Sequence, residues 1–287
     1  MHMKTILFPT DFSSAADGAF AYALEMARTL EAAITVLHVY YQPNLVGAIL
    51  PNTLQEMYED IELEEFENYR NEVPHLRRIA KARGRTDIDI KYVMHRGEEA
   101  VTSILRFAAT EQPDMIVLGT KGASGLRELF VGSVAAEVLE NAEVPVLVVP
   151  GGAVFDGRLD RIACGVAFDE YAQGAVRLCH QLARALRAEL LVFNTNTSHT
   201  EGLSHRMELF REATQDLDGI TYHTVTGTSF EGATLGFLRA QAVDLFAMVS
   251  KRRGWWQELF HYNKLKQFAY HGKTPILVLH AESLVGT

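Results

Sequence analysis

Gly119-Thr-Lys-Gly122-Ala-Ser-Gly-Leu-Arg-Glu-Leu-Phe-Val-Gly132-Ser133 spaces its glycines as Gly-x2-Gly-x9-Gly-Ser. The apolar run before it, Met115-Ile-Val-Leu118, reads as a short buried strand. The segment after it, Val134-Ala-Ala-Glu-Val-Leu-Glu-Asn-Ala142, has helical spacing and no breaker. A glycine loop therefore leaves the carboxyl end of a strand, and Gly132-Ser133 opens a helix. An α/β sheet binds phosphate at such a place. Residues without Cβ let backbone N–H groups approach an anion, and the helix N-terminus presents free donors and a positive dipole end. An ordinary glycine-rich turn with a helix cap would carry the same residues.

Outward from this loop, strands and helices alternate. Strands are expected at 4–9, 34–39, 88–93, 115–118 and 144–149. Helices are expected after Ser13, over 53–84 with Pro74 kinking or dividing it, over 98–111 and over 132–142. That alternation calls for a parallel sheet with helices on both faces. The order then repeats. Ala19-Phe-Ala-Tyr-Ala-Leu-Glu-Met-Ala27 corresponds to Ala175-Val-Arg-Leu-Cys-His-Gln-Leu-Ala183, and Val144-Pro-Val-Leu-Val to Thr274-Pro-Ile-Leu-Val. The offset falls from 156 to 130 positions along the chain, so the second copy is shorter in the region of the long helix. A turn-rich stretch, Pro150-Gly-Gly-Ala-Val-Phe-Asp-Gly157, marks the expected boundary between domains at 1–150 and 158–282.

The chain has 287 residues, 48% of them hydrophobic, and a formal net charge of −9. Such a balance suits a soluble globular protein and argues against nucleic acid or an anionic membrane as the main partner. No apolar stretch reaches membrane-span length, and the beginning lacks a signal-peptide core. The two cysteines, Cys164 and Cys179, have neither metal nor redox spacing, so buried reduced thiols and a cytoplasmic location are expected.

Ile6-Leu-Phe-Pro-Thr-Asp-Phe-Ser13, Leu37-His-Val39, Asp114-Met-Ile-Val-Leu-Gly119 and the glycine loop follow one another as in the universal stress protein family. The duplication resembles its tandem members. The resemblance implies two tandem doubly wound α/β domains, each a mainly parallel five-stranded sheet with helices on both faces, of the adenine nucleotide alpha hydrolase-like type. It further implies a site for ATP, with Mg²⁺ accompanying the phosphates, in the amino-terminal half. Pro9, Thr10 and Asp11 would line the nucleoside end, and Val39 would hold the adenine through main-chain groups. Leu118, Gly119, Gly122, Gly132, Ser133 and Val134 would form the phosphate end, with Lys121 neutralising a phosphate or simply solvated. From the residues themselves, Asp11 or Ser13 could instead cap the following helix, and Val39 is a plain core strand position.

The second half replaces Asp11 by Ala167, Val39 by Thr195, Gly132 by Tyr262 and Ser133 by Asn263. One nucleotide site per chain is therefore expected. The second half's altered loop, with Lys251, Arg252, Arg253, Trp255 and Trp256, could be packing, a solvated basic loop or a contact for another molecule. No catalytic constellation stands out, so the expected role is an ATP-binding regulatory protein of the stress response. A slow ATPase or phosphotransferase, or a scaffold stabilised by its nucleotide, are the alternatives. In family homodimers the last strands pair antiparallel, so the tandem chain is expected to make that contact internally. An unknown protein partner and a homodimer of the whole chain remain open.

Overall fold

The computed structural model describes residues 4–41, 51–97, 99–120, 133–197, 202–250 and 274–284. The first half runs β1 (Thr5–Pro9), α1 (Ser14–Leu30), β2 (Ala33–Tyr41), α2 (Pro51–Ala82), β3 (Ile90–Gly97), α3 (Ala100–Glu111), β4 (Met115–Gly119), α4 (Ser133–Asn141) and β5 (Val146–Val149). The second half follows with β6 (Arg161–Gly165), α5 (Ala172–Leu186), β7 (Glu189–Asn196), α6 (Leu203–Ala213), β8 (Ile220–Thr226), α7 (Phe230–Ala240), β9 (Leu245–Ser250) and β10 (Ile276–His280). A short 3-10 turn, Ala281–Leu284, follows β10.

The ten strands among the described residues join one sheet in the order β3-β2-β1-β4-β5-β10-β9-β6-β7-β8. Each half has the same doubly wound connectivity read outward from the middle. Every pairing is parallel except β5 with β10, which is antiparallel with Leu147 opposite Leu277. The last strands thus meet inside one chain, as the resemblance implied, and the two sheets become continuous. Side chains alternate across the pleat: Ile6 and Phe8 face one core, Leu7 the other. Both cores cross the seam, through Leu147 and Leu277 on one face and Val146, Val148, Ile276 and Val278 on the other. Strands buried on both faces explain the near-continuous apolar runs in the sequence.

Several expected boundaries move. The third strand begins and ends later than 88–93, because its pairing with β2 carries on to Tyr41 opposite Gly97. The long helix is one element, with Pro74 inside it. Pro74 is exposed, so water can satisfy the carbonyl that its missing N–H leaves unpaired. The final strand of the first half covers only Val146–Val149, since Pro145 has no N–H to give the ladder. Cys164 and Cys179 are buried free thiols; hydrogen bonding between them and burial push the Cys179 thiol well above its ordinary range.

Candidate functional site

The carboxyl ends of β2, β1 and β4 lie side by side on one edge of the sheet. Pro9 ends β1, and the chain turns sharply after it. Thr10 is buried and its N–H donates to the Leu37 carbonyl at 2.9 Å, which ties the turn to β2. The Thr10 hydroxyl accepts from the Phe12 N–H at 3.0 Å, and Phe12 sits at φ 57°. A bulky residue at positive φ is uncommon and needs such support from its surroundings. The turn leaves Asp11 exposed at the sheet edge, with one carboxylate oxygen accepting from the Ser13 N–H at 3.0 Å. Ser13 caps α1, its hydroxyl accepting from Ala16 N–H at 3.3 Å. Ser13 is therefore the helix cap, and the Asp11 carboxylate braces the turn just ahead of it.

His38 is the residue whose role sequence reading did not reach. It is half-buried, and its Nδ1 donates to the Thr10 carbonyl at 3.0 Å. Its ring lies 4.7 Å from the Phe12 ring and 6.4 Å from that of Tyr69 on α2. Its Nε2 is 3.5 Å from Glu65. The turn that presents Asp11 is thereby held from below by β2 and α2. Burial, then the neighbouring Tyr92, push the Tyr69 phenol up, so it stays neutral at ordinary pH.

Val39 is half-buried beside this turn, and Gly97 approaches it from β3. A Cβ on Gly97 would overlap the Ser103 hydroxyl and come within 3.3 Å of the Val39 side chain. Gly97 was another omission. Its counterpart Gly227, 130 positions on, was the available signal, and there a Cβ would lie 2.6 Å from that of Ala233.

At the end of β4, Leu118 is buried and Gly119 meets the first turn of α1. A Cβ on Gly119 would lie 3.1 Å from the Ala15 carbonyl oxygen, a tight contact that glycine relieves where α1 packs on β4. Thr120 follows, buried, donating its N–H to the Val149 carbonyl at 3.0 Å and accepting from Gly151 N–H at 3.2 Å. Ser133, exposed, opens α4, and Val134 packs partly against the core. Lys121, Gly122 and Gly132 lie outside the described residues. Pro9, Thr10, Asp11, Val39, Leu118, Gly119, Ser133 and Val134 thus belong to one edge of the sheet or to the helix returning to it. Among the described residues no group of three or more His, Cys, Asp or Glu side chains could hold a metal ion. No helix among them is long and apolar enough to cross a membrane.

Residues 2–150, just over half the chain, match the universal stress protein family. Two universal stress proteins of Methanocaldococcus jannaschii are 31% identical over 146 residues and 30% over 157; each alignment covers 51% of this chain, and 81% and 94% of the relatives. A solved universal stress protein of Archaeoglobus fulgidus shares the fold over 96% of both chains, with a TM-score of 0.71 at 18% identity. A Pseudomonas aeruginosa protein described as functionally unknown superimposes over 98% of this chain with a TM-score of 0.64. The chain belongs to the universal stress protein family.

Proposed function

We propose that the first half, residues 1–150, binds ATP, accompanied by Mg²⁺ on the phosphates, and that the second half, residues 158–282, does not. The observation that carries this reading is the exposed Asp11 on the same sheet edge as the two ends of the glycine loop, Gly119 and Ser133. A ligand lying across β2, β1 and β4 spans two inter-strand spacings, roughly 10 Å. That length suits a base near Val39 and Gly97, a ribose at Asp11 and phosphates at the loop and the α4 N-terminus. Carboxylates accept from ribose hydroxyls, and helix N-termini attract phosphate. Lys121, Gly122, Gly132 and Ser133 would supply charge, backbone donors and a hydroxyl there. The nucleotide then acts as a regulatory ligand whose occupancy changes surfaces read by other molecules.

Protein purified without added ligand, then denatured, should release adenine nucleotide detectable by mass spectrometry. Calorimetry should give one site per chain. Gly132→Tyr, which copies Tyr262 of the second half, should weaken ATP binding by about a hundredfold or more while leaving the circular dichroism unchanged, because a side chain then stands where backbone meets phosphate. Two sites of similar affinity, or unchanged binding in Gly132→Tyr, would overturn the proposal.

A further inference from the structure

The outer face of α2 carries a charge pattern complementary to itself. Residues 51–66 contain six acids (Glu56, Glu59, Asp60, Glu62, Glu64 and Glu65) and no Lys or Arg. Residues 70–82 contain Arg70, Arg77, Arg78 and Lys81 with the single acid Glu72. Leu76 and Ala80 are buried on the inner face. At 3.6 residues per turn the stripe directly opposite runs Asp60, Leu63, Glu67, Arg70, Pro74 and Arg77, all exposed. Two copies of this stripe laid antiparallel and centred between positions 68 and 69 bring Asp60 against Arg77, Leu63 against Pro74 and Glu67 against Arg70. Every charge meets its opposite, and the apolar pair meets itself.

Exposure agrees at the centre of the stripe, where Leu63 is 59% exposed; Phe66 and Met57, 49% and 38% exposed, flank it on opposite sides of the helix. Among the described residues, Asp60, Glu67, Arg70 and Lys81 form no ion pair within the chain. The Arg77 guanidinium lies 5.4 Å from the centroid of the Tyr92 ring on β3, which holds this exposed residue at one flank of the stripe. Meanwhile β5 and β10 consume each other inside the chain, so the last strands are not free edges for a second copy.

We propose that α2 is a homodimer interface, in which a second copy of this chain docks its own α2 antiparallel across a two-fold axis near position 68. Residue i of one copy contacts residue j of the other and the reverse, so each charge pair occurs twice. The helix is about 48 Å long, enough for both ends of the stripe to engage.

Analytical ultracentrifugation of the full chain tests this. Wild type should dimerise reversibly, more weakly as salt rises, because the pairs lie at a solvated rim. Glu67→Arg alone and Arg70→Glu alone should each weaken the dimer about tenfold, since each sets two like-charge contacts across the axis. Mixing the two single variants should restore association, because each chain then offers the charge its partner lacks. The double variant Glu67→Arg/Arg70→Glu should also dimerise by itself. Neither result can come from misfolding. A wild type that stays monomeric at about 100 μM, or a dimer indifferent to both single reversals, would overturn the proposal. So would single variants that fail to associate when mixed although each remains folded.

Discussion

The two halves of the molecule share a frame down to single hydrogen bonds and differ at the edge where a ligand would sit. Asp114 accepts from Lys4 and Thr5 N–H at 2.6 and 3.0 Å, and Asp244 accepts from Asp160 and Arg161 N–H at 2.8 and 2.9 Å. Thr10 N–H bonds Leu37 as Val166 N–H bonds Phe193, both at 2.9 Å. Phe12 and Phe168 both sit at φ 57°. Where His38 donates to the Thr10 carbonyl, Asn194 donates to that of Val166 at 2.6 Å. Yet Asp11 has become Ala167, and Val39 has become Thr195, whose hydroxyl pairs with Thr234 at 3.2 Å. What persists is whatever positions backbone. Asp11 and Val39, which changed, are residues proposed to touch a nucleotide. A turn strained enough to need a positive-φ Phe is kept even in the half without the acid it presents. The turn therefore serves the junction of β6 with α5 as well as any ligand.

The largest effect expected from breaking the relation between halves lies at the seam. Leu277 is 2% exposed and pairs with Leu147 across the antiparallel join. Leu277→Lys would bury a charge with no partner between the two halves and should cost about 4 kcal/mol or more. Urea unfolding followed by circular dichroism reads this directly. A loss under about 1 kcal/mol would mean that the seam contributes little and that the halves are stable alone.

Much of this architecture was legible because the strands are buried on both faces and so appear as apolar runs, and because the repeat gives each run twice. The places of Asp11 and Gly119 at or just past strand ends were legible from the apolar run before each. His38 was not, because its role depends on the Thr10 carbonyl, 28 positions away in sequence and fixed only by strand pairing. Gly97 escaped because a lone glycine at a strand end carries no local signature; only its recurrence as Gly227 gives it away. The extent of α2 was ambiguous for a physical reason, since whether Pro74 breaks a helix depends on whether its face is wet.

Gly97 gives the next test in size. Gly97→Ala drives a methyl into the buried Ser103 hydroxyl and should cost about 2 kcal/mol. Adding Ser103→Ala should recover most of that, because the next obstacle, the Ser103 Cβ, is 3.1 Å away. In the second half the obstacle is already a Cβ, that of Ala233 at 2.6 Å, so Gly227→Ala has no such simple rescue. Thermal melts of the three variants compare the two sites. No loss in either single variant, or no recovery on adding Ser103→Ala, would show that these glycines are not steric requirements.

The smallest effect concerns a carboxylate that the first half buries and the second does not. Glu25, only 5% exposed at its side chain, is paired with Arg28 and, at 3.0 Å, with Arg85. The positions 156 further on hold Gln181, exposed, and Arg184, which turns to the exposed Asp218 at 2.7 Å instead. The difference follows from chain length: α2 and the turn after it deliver Arg85 over Glu25, while the shorter α6 has no equivalent segment. Burial alone would raise the Glu25 carboxyl, but hydrogen bonds from Arg28 and Arg85 outweigh it and hold the group below its ordinary value. A carboxyl lowered in the folded state stabilises fully above its unfolded value, about 4.3, and that stability fades as pH falls through the folded value. Glu25→Gln, which writes the second half's residue into the first, should cost about 1 kcal/mol at pH 7, because both arginines keep a neutral acceptor but lose its charge. The deficit should shrink as pH falls below the unfolded value, about 4.3, and through the lower folded one, as wild-type Glu25 takes up its proton. Urea midpoints of the two proteins from pH 7 to pH 3 should therefore converge. Curves that stay parallel across that range would show that the buried Arg28–Glu25–Arg85 group does not give the first half its own acid sensitivity.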